Sequence, residues 1–144
     1  MTGNTRFAAS VHMLAYLAYR QGSAVPSAEI AASVDTNPVV IRRLLSALVK
    51  ARLVKATKGA AGGFTLASTP ENISLRDVYR AVEPKPQRGL DHFAPSQKCP
   101  VGAKIGSILH GVYLKAQAGM EAELSRVTLA QIHEQLQPVC PGKH

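Results

Sequence analysis

The chain has 144 residues, 46% of them hydrophobic, with only 5% aromatic and no tryptophan, so it suits one domain with an aliphatic, helix-rich core, alone or with an appended oligomerisation element. Its 17 basic residues against 9 acidic ones leave a formal charge of +8, which draws it toward polyanions: nucleic acid, anionic membrane or acidic protein. No apolar run approaches the ~20 residues of a membrane span, "MTGNTRFAAS" lacks the layout of a signal peptide, and two cysteines are too few for a disulfide scaffold, which together point to a reducing cytoplasm and no membrane partner.

A first helix is expected over about residues 6–20, where Phe7, Val11, Leu14, Ala15 and Ala18 recur at helical spacing. Asn4 or Thr5 is placed to cap it and Gly22 to stop it. His12 lies beside the apolar stripe and reads as a packing residue. A short second helix follows "VPSAEIAASVD", with Ser27 as its N-cap, Glu29 complementing the dipole and an end near Asp35. The third opens at "NPVV", where Asn37 is a favoured N-cap and Pro38 fits the first helical position. Its Ile41, Leu44, Leu45 and Leu48 fall at i, i+3, i+4 and i+7 and define a buried face.

"LVKAT" and "GFTLAS", joined through "KGAAGG", read as a β-hairpin in which Gly62 and Gly63 allow positive φ or close backbone approach. The fourth helix starts at "SLRD", a capping box of Ser74 and Asp77, and carries Leu75, Val78, Tyr79 and Val82 on its apolar face. Residues 84–98 hold proline, glycine and charge without periodicity, as a linker or loop does. A long helix is expected over residues 101–126. Its stripe of Ile105, Ile108, Leu109, Val112, Ala116, Met120, Leu124 and Val127 must meet the chain's own core or a second subunit. Thr128 and Gln131 cap a last short helix that stops at Pro138.

Residues 27–66 therefore read helix, tight turn, helix, hairpin, and the "DTN" turn has nearly the length of a helix-turn-helix turn. The second helix of such a unit enters the major groove and offers its N-terminal residues to base edges. Here that end carries Asn37, Pro38, Val39, Val40, Arg42 and Arg43. Arg forms paired hydrogen bonds to guanine, and a small apolar side chain meets the thymine methyl. Lys50, Lys55 and Lys58 suit phosphates. The hairpin becomes a wing with Lys58, Gly62 and Gly63 at its tip, and Ser27 joins the candidate contacts. Between Val40 and Lys58 lie Arg42, Arg43, Lys50, Arg52, Lys55 and Lys58 without one acid. The agreement of charge, motif and hairpin favours double-stranded DNA as partner over a winged helix used for protein contacts; a non-specific DNA binder is the other alternative.

"SAEIAASVDTNPVVIRRLLSALVKARLVKATKGAAGGFTLA", followed by "ISLRDVYRAVE", resembles the Rrf2 family of bacterial transcription regulators, and the likeness extends to "TLAQI". The resemblance implies a homodimer, a winged helix-turn-helix in each subunit, a long helix that crosses to the partner, and a two-fold symmetric operator. The expected fold is mainly α with a small β-hairpin wing: residues 1–83 as DNA-binding unit, 84–100 as linker and sensor loop, 101–144 as dimerisation helix and tail. Ile105, Ile108, Leu109, Val112 and Met120 then form the dimer interface. Arg52 stands where the family often has glycine, a change expected to cost little and to add a phosphate contact. The family's cluster-binding members carry three cysteines before the long helix; this chain has only Cys99 there, so a three-cysteine iron–sulfur site is absent.

Cys99 precedes Pro100 and would sit at a helix N-terminus, where the dipole favours the thiolate. Three roles stand open for it: a redox sensor resolved by Cys140, an inert packing residue, or a ligand with His12, His92 or His110 for a metal or iron–sulfur centre. No close-spaced ligand pair supports the last, so no resident metal or cofactor is expected, and His92 and His110 read as solvated. Catalysis finds no support. There is no phosphate-binding loop feeding a helix, no dinucleotide fingerprint and no contextual Ser/His/Asp set.

Overall fold

The computed structural model describes residues 3–83, 90 and 92–137. Residues 84–89 and 91 of the expected linker, and the tail with Cys140, lie outside that set.

Helix α1, Gly3–Tyr19, begins before the expected start, so Thr5 lies within it rather than capping it. It is the central element, packed against α2 (Ser27–Val34), α3 (Pro38–Lys50), α4 (Leu75–Val82), α6 (Leu129–Leu136) and the second strand of the wing. A helix walled on several sides has no single stripe. Met13, Leu14 and Leu17 are all buried, and so is Ser10, although periodicity marks only Leu14 among them.

Helix α2 is capped by the Pro26 backbone position, and Ser27 is its first helical residue with no side-chain capping bond. Its end is Asp35, in the left-handed region at φ 58°. Three residues later α3 begins as expected: the Asn37 side chain accepts a hydrogen bond from the Val39 N–H at 2.8 Å, with Pro38 behind it. Ile41, Leu44, Leu45 and Leu48 are each 4% exposed or less, and burial of each is worth about 1.5–3 kcal/mol.

The end of α3 is closed by a Schellman pattern. The Leu53 N–H donates to the Leu48 carbonyl and the Arg52 N–H to the Val49 carbonyl, both at 3.0 Å. Arg52 itself takes the left-handed conformation, φ 63°, a place glycine fills without strain. The wing follows at once: β1, Val54–Thr57, pairs antiparallel with β2, Gly63–Leu66, in the register Val54↔Leu66 to Thr57↔Gly63. Its base is anchored to the α1–α2 connection, because Phe64 and Val25 exchange backbone hydrogen bonds at 2.9 and 3.0 Å. At Gly63 (φ 155°) a Cβ would stand 2.6 Å from the Val25 backbone.

Both predicted capping boxes are present and reciprocal, Ser74 with Asp77 on α4 and Thr128 with Gln131 on α6. The two helix starts are also joined to each other. Leu75 N–H donates to the Val127 carbonyl at 2.9 Å and Leu129 N–H to the Ile73 carbonyl at 2.8 Å, over the fully buried Ile73 and Leu129. The last helix thereby folds back against α1. Helix α5, Pro100–Leu124, is tied to the body near its C-terminal end, where Arg80 on α4 pairs with Glu121 and Gln117 donates to the same carboxylate at 2.8 Å. Among the described residues no helix is long and apolar enough to cross a membrane.

Candidate nucleic-acid interface

The cap at Asn37 fixes the rotation of α3. With Ile41, Leu44, Leu45 and Leu48 turned inward, Arg42, Arg43, Ser46 and Lys50 stand outside and Val39 is 46% exposed. Val40 is half-buried and packs against the core, which leaves Val39 as the apolar side chain offered at this end. Arg52, Lys55 and Lys58 continue the exposed basic run along the turn and β1 into the wing.

Ion pairing sets this run apart from the four paired arginines, though not from Arg76, Lys98, Lys104 and Lys115, which also have no ion-pair partner among the described residues. What distinguishes the run is that its six unpaired cations follow one another from α3 into the wing. Arg6 pairs with Glu83, Arg20 with Glu29, Arg80 with Glu121 and Arg126 with Glu123. Among the described residues, Arg42, Arg43, Lys50, Arg52, Lys55 and Lys58 have no such acid. An unpaired, solvated cation can neutralise a phosphate without first giving up a protein partner.

Ser27 is half-buried at the first turn of α2. Gly62 and Gly63 have packing roles: a Cβ at Gly62 would lie 2.2 Å from the Thr57 carbonyl oxygen. The outermost wing residues are 58–61, with Gly59 at φ 104°.

Away from the basic run, Cys99 is an exposed free thiol at the N-cap of α5. No side-chain capping bond of good geometry closes on the sulfur. Even so, the Gly102 N–H first, and the Val101 N–H with it, bring partial positive charge to the thiol and hold it below the ordinary cysteine range. Within one chain the thiol is not buried. His12 is not packed in the core: it is exposed and meets Ser33 Oγ through Nε2 at 2.9 Å. His92 is exposed as expected; His110 is half-buried.

On α5, Ile108 and Val112 are each 58% exposed and Met120 39%, while Ile105 and Leu109 are half-buried. Val101, Tyr113 and Leu114 are exposed too and were outside the expected stripe, since a helix touched by the body only near one end shows apolar residues on more than one side.

Comparison with known proteins agrees with this layout. Residues 3–135 match the Rrf2 family, described as "Iron-dependent Transcriptional regulator". The chain is 38% identical over 133 residues to YwnA of Bacillus subtilis, named as an HTH-type transcriptional regulator, covering 92% of this chain and 98% of YwnA. A crystal structure of a transcriptional regulator from Lactobacillus plantarum superposes with a TM-score of 0.79 at 30% identity, covering 92% of this chain and 89% of that one. The T. potens IscR structure, at 24% identity, TM-score 0.68 and coverage of 96% and 90%, shares the fold. Iron in the family description prompts a test of the donors. Among the described residues no three His, Cys, Asp or Glu side chains gather as a metal site requires, and His12 is engaged by Ser33, so the described donors of one chain do not by themselves fit an iron centre. With its winged helix and near-complete family match, this chain belongs to the Rrf2 family of DNA-binding transcriptional regulators and is not an enzyme.

Proposed function

We propose that this regulator acts in the cytoplasm as a homodimeric repressor that binds a two-fold symmetric operator and changes its affinity with the oxidation state of Cys99. The observation that carries the DNA contacts is the unpaired basic run. Arg42 and Arg43, with Val39, address base edges from the N-terminal part of α3; Lys50, Arg52, Lys55 and Lys58 hold phosphates. Dimerisation is supported by the apolar residues that α5 leaves open, Ile108, Val112 and Met120 with the half-buried Ile105 and Leu109. In this reading residues 84–100 connect the DNA-binding unit to the arm that meets the partner.

For the switch, the Cys99 thiolate attacks one oxygen of a peroxide, the O–O bond breaks, hydroxide leaves and the sulfur becomes a sulfenic acid. Condensation with the Cys140 thiol then releases water and closes a disulfide. The exposed thiol with its lowered pKa supports the first step.

The test is a titration against DNA upstream of the protein's own gene, with unrelated duplex as competitor, in dithiothreitol and after mild peroxide. Competitor-resistant binding that changes on oxidation, and no longer does so in Cys99→Ser, is the expected result. Binding without sequence preference and with a steep salt dependence would instead identify a general duplex binder.

A further inference from the structure

Between α1, α2 and α6 lies a cavity of about 560 Å³, within the ~300–1,000 Å³ typical of small-molecule sites. Its wall is largely apolar, built from Val11 and Ala15 on α1 and Ile132 and Leu136 on α6. The polar groups among its lining residues are imidazole, hydroxyl and amide, from His12, Ser33, His133, Gln137 and two tyrosines; no aspartate or glutamate is among them. His133 Nε2 meets the Gln137 amide at 2.7 Å, while its Nδ1 is buried and has no partner among the described residues. Glu29, which accepts from the Tyr16 hydroxyl, is itself neutralised by Arg20.

We propose that this cavity is an effector site for a small amphipathic anion, a compact apolar body bearing one carboxylate or sulfonate, with the anion at the His12–Ser33 side. A cation would meet no countercharge there, and a purely apolar molecule would desolvate the imidazole and hydroxyl groups without replacing their hydrogen bonds. No lysine or arginine lines the cavity either; an anion is favoured by the groups that do, since imidazole N–H, hydroxyl and amide groups can donate hydrogen bonds to its oxygens, on a chain whose overall charge is +8. The site also has a route to the DNA contacts, and this part rests on the regulatory function proposed above. The His12–Ser33 hydrogen bond ties α1 to α2, and α2 packs on α3. A ligand that competes for that bond, or parts α6 from α1, favours a different placement of α2 and α3, to the extent that it binds the two arrangements unequally.

The experiment uses the full chain and 1-anilinonaphthalene-8-sulfonate, followed by its fluorescence, with N-phenyl-1-naphthylamine as the same ring system without the charge. The expected result is one saturable site per chain for the sulfonate, bound about tenfold more tightly than the neutral amine. Leu136→Glu, at a position 37% exposed and so tolerant of change, should lower sulfonate affinity at least tenfold, whereas Leu114→Glu, 44% exposed on α5 and outside the apolar stripe, should leave it unchanged. Loss of binding in Leu114→Glu with retention in Leu136→Glu would place the dye on α5 and overturn the assignment. Equal affinity for the two dyes would refute the anion. Coupling is read separately: saturating sulfonate should shift specific DNA affinity at least threefold, and dye binding without that shift would remove the effector role while leaving DNA binding itself intact.

Discussion

Replacing Arg52 with glycine should make the protein more stable and a poorer DNA binder at once. Arg52 occupies the left-handed position that closes α3, at φ 63°. Holding an L-residue there costs about 1–2 kcal/mol, and glycine removes that strain but brings ~0.5–1 kcal/mol of extra chain freedom in the unfolded state. The net gain is about 0.5–1 kcal/mol, because the two backbone bonds at this turn, from Arg52 to Val49 and from Leu53 to Leu48, need no side chain. The lost guanidinium is exposed and has no acid partner among the described residues, so one phosphate contact should vanish and the slope of log K against log salt should flatten by about 0.9. Urea unfolding and a salt series of DNA titrations read the two effects. Arg52→Ala is the control: it keeps the strain and loses the charge, so it should match Arg52→Gly on DNA but not in stability. Equal midpoints for the glycine and alanine variants would refute the claim of strain, and an unchanged salt slope in both would take Arg52 off the DNA.

Arg43→Ala should lower specific affinity by ~1–3 kcal/mol and relax preference at one operator position; a uniform loss across sequences would make Arg43 a phosphate contact instead. Lys58→Ala should weaken all duplexes alike and reduce the salt slope by about one, and an unaltered slope would put the wing tip off the backbone. Asp77→Ala opens the reciprocal box at the start of α4, leaving the Ser74 N–H without the carboxylate it meets at 3.0 Å, and should cost about 1 kcal/mol in urea unfolding; no loss would mean that water replaces the cap. Because the amide groups of Gly102 and Val101 lower the Cys99 pKa in the folded chain, thiolate is present at lower pH than in the unfolded protein. The midpoint of iodoacetamide labelling against pH, measured with Cys140→Ser, should therefore sit lower in buffer than in urea, and coincident midpoints would contradict the N-cap geometry.

Elements with a strong local signal are legible in the sequence alone. Asn37-Pro38, Ser74 with Asp77, and Thr128 with Gln131 each specify a helix start through bonds confined to a few residues, and the structure contains all three. The apolar face of α3 was legible because one side of that helix is buried and the other is not. Helix α1 was only partly so: five elements press on it, and a residue such as Met13 is buried by neighbours distant in sequence. Ser27 shows the limit of capping rules, since a proline before a serine leaves two positions able to start the helix. The basic run could be seen in sequence, but its freedom from ion pairs could not, because Arg6, Arg20 and Arg80 find acids at least nine residues away. The cavity beneath α6 had no sequence signal at all; it arises where the last helix returns to the first.

The backbone exchange between residues 73–75 and 127–129 has a mechanical consequence. Together with the Arg80–Glu121 pair it clamps one end of α5 to the body, while the other end packs on the loop that precedes it, with Gly102 buried against Ser96 and Val101 68% exposed. Twenty-five residues make a rod of about 37 Å at 1.5 Å per residue. Cys99 is therefore about a helix length from the clamp, and a small angular change there becomes a displacement of several ångströms at the thiol and at the loop packed beside it. In a pair of such chains the two tips would be the places where a chemical event exerts the greatest torque on the spacing of the two α3 helices.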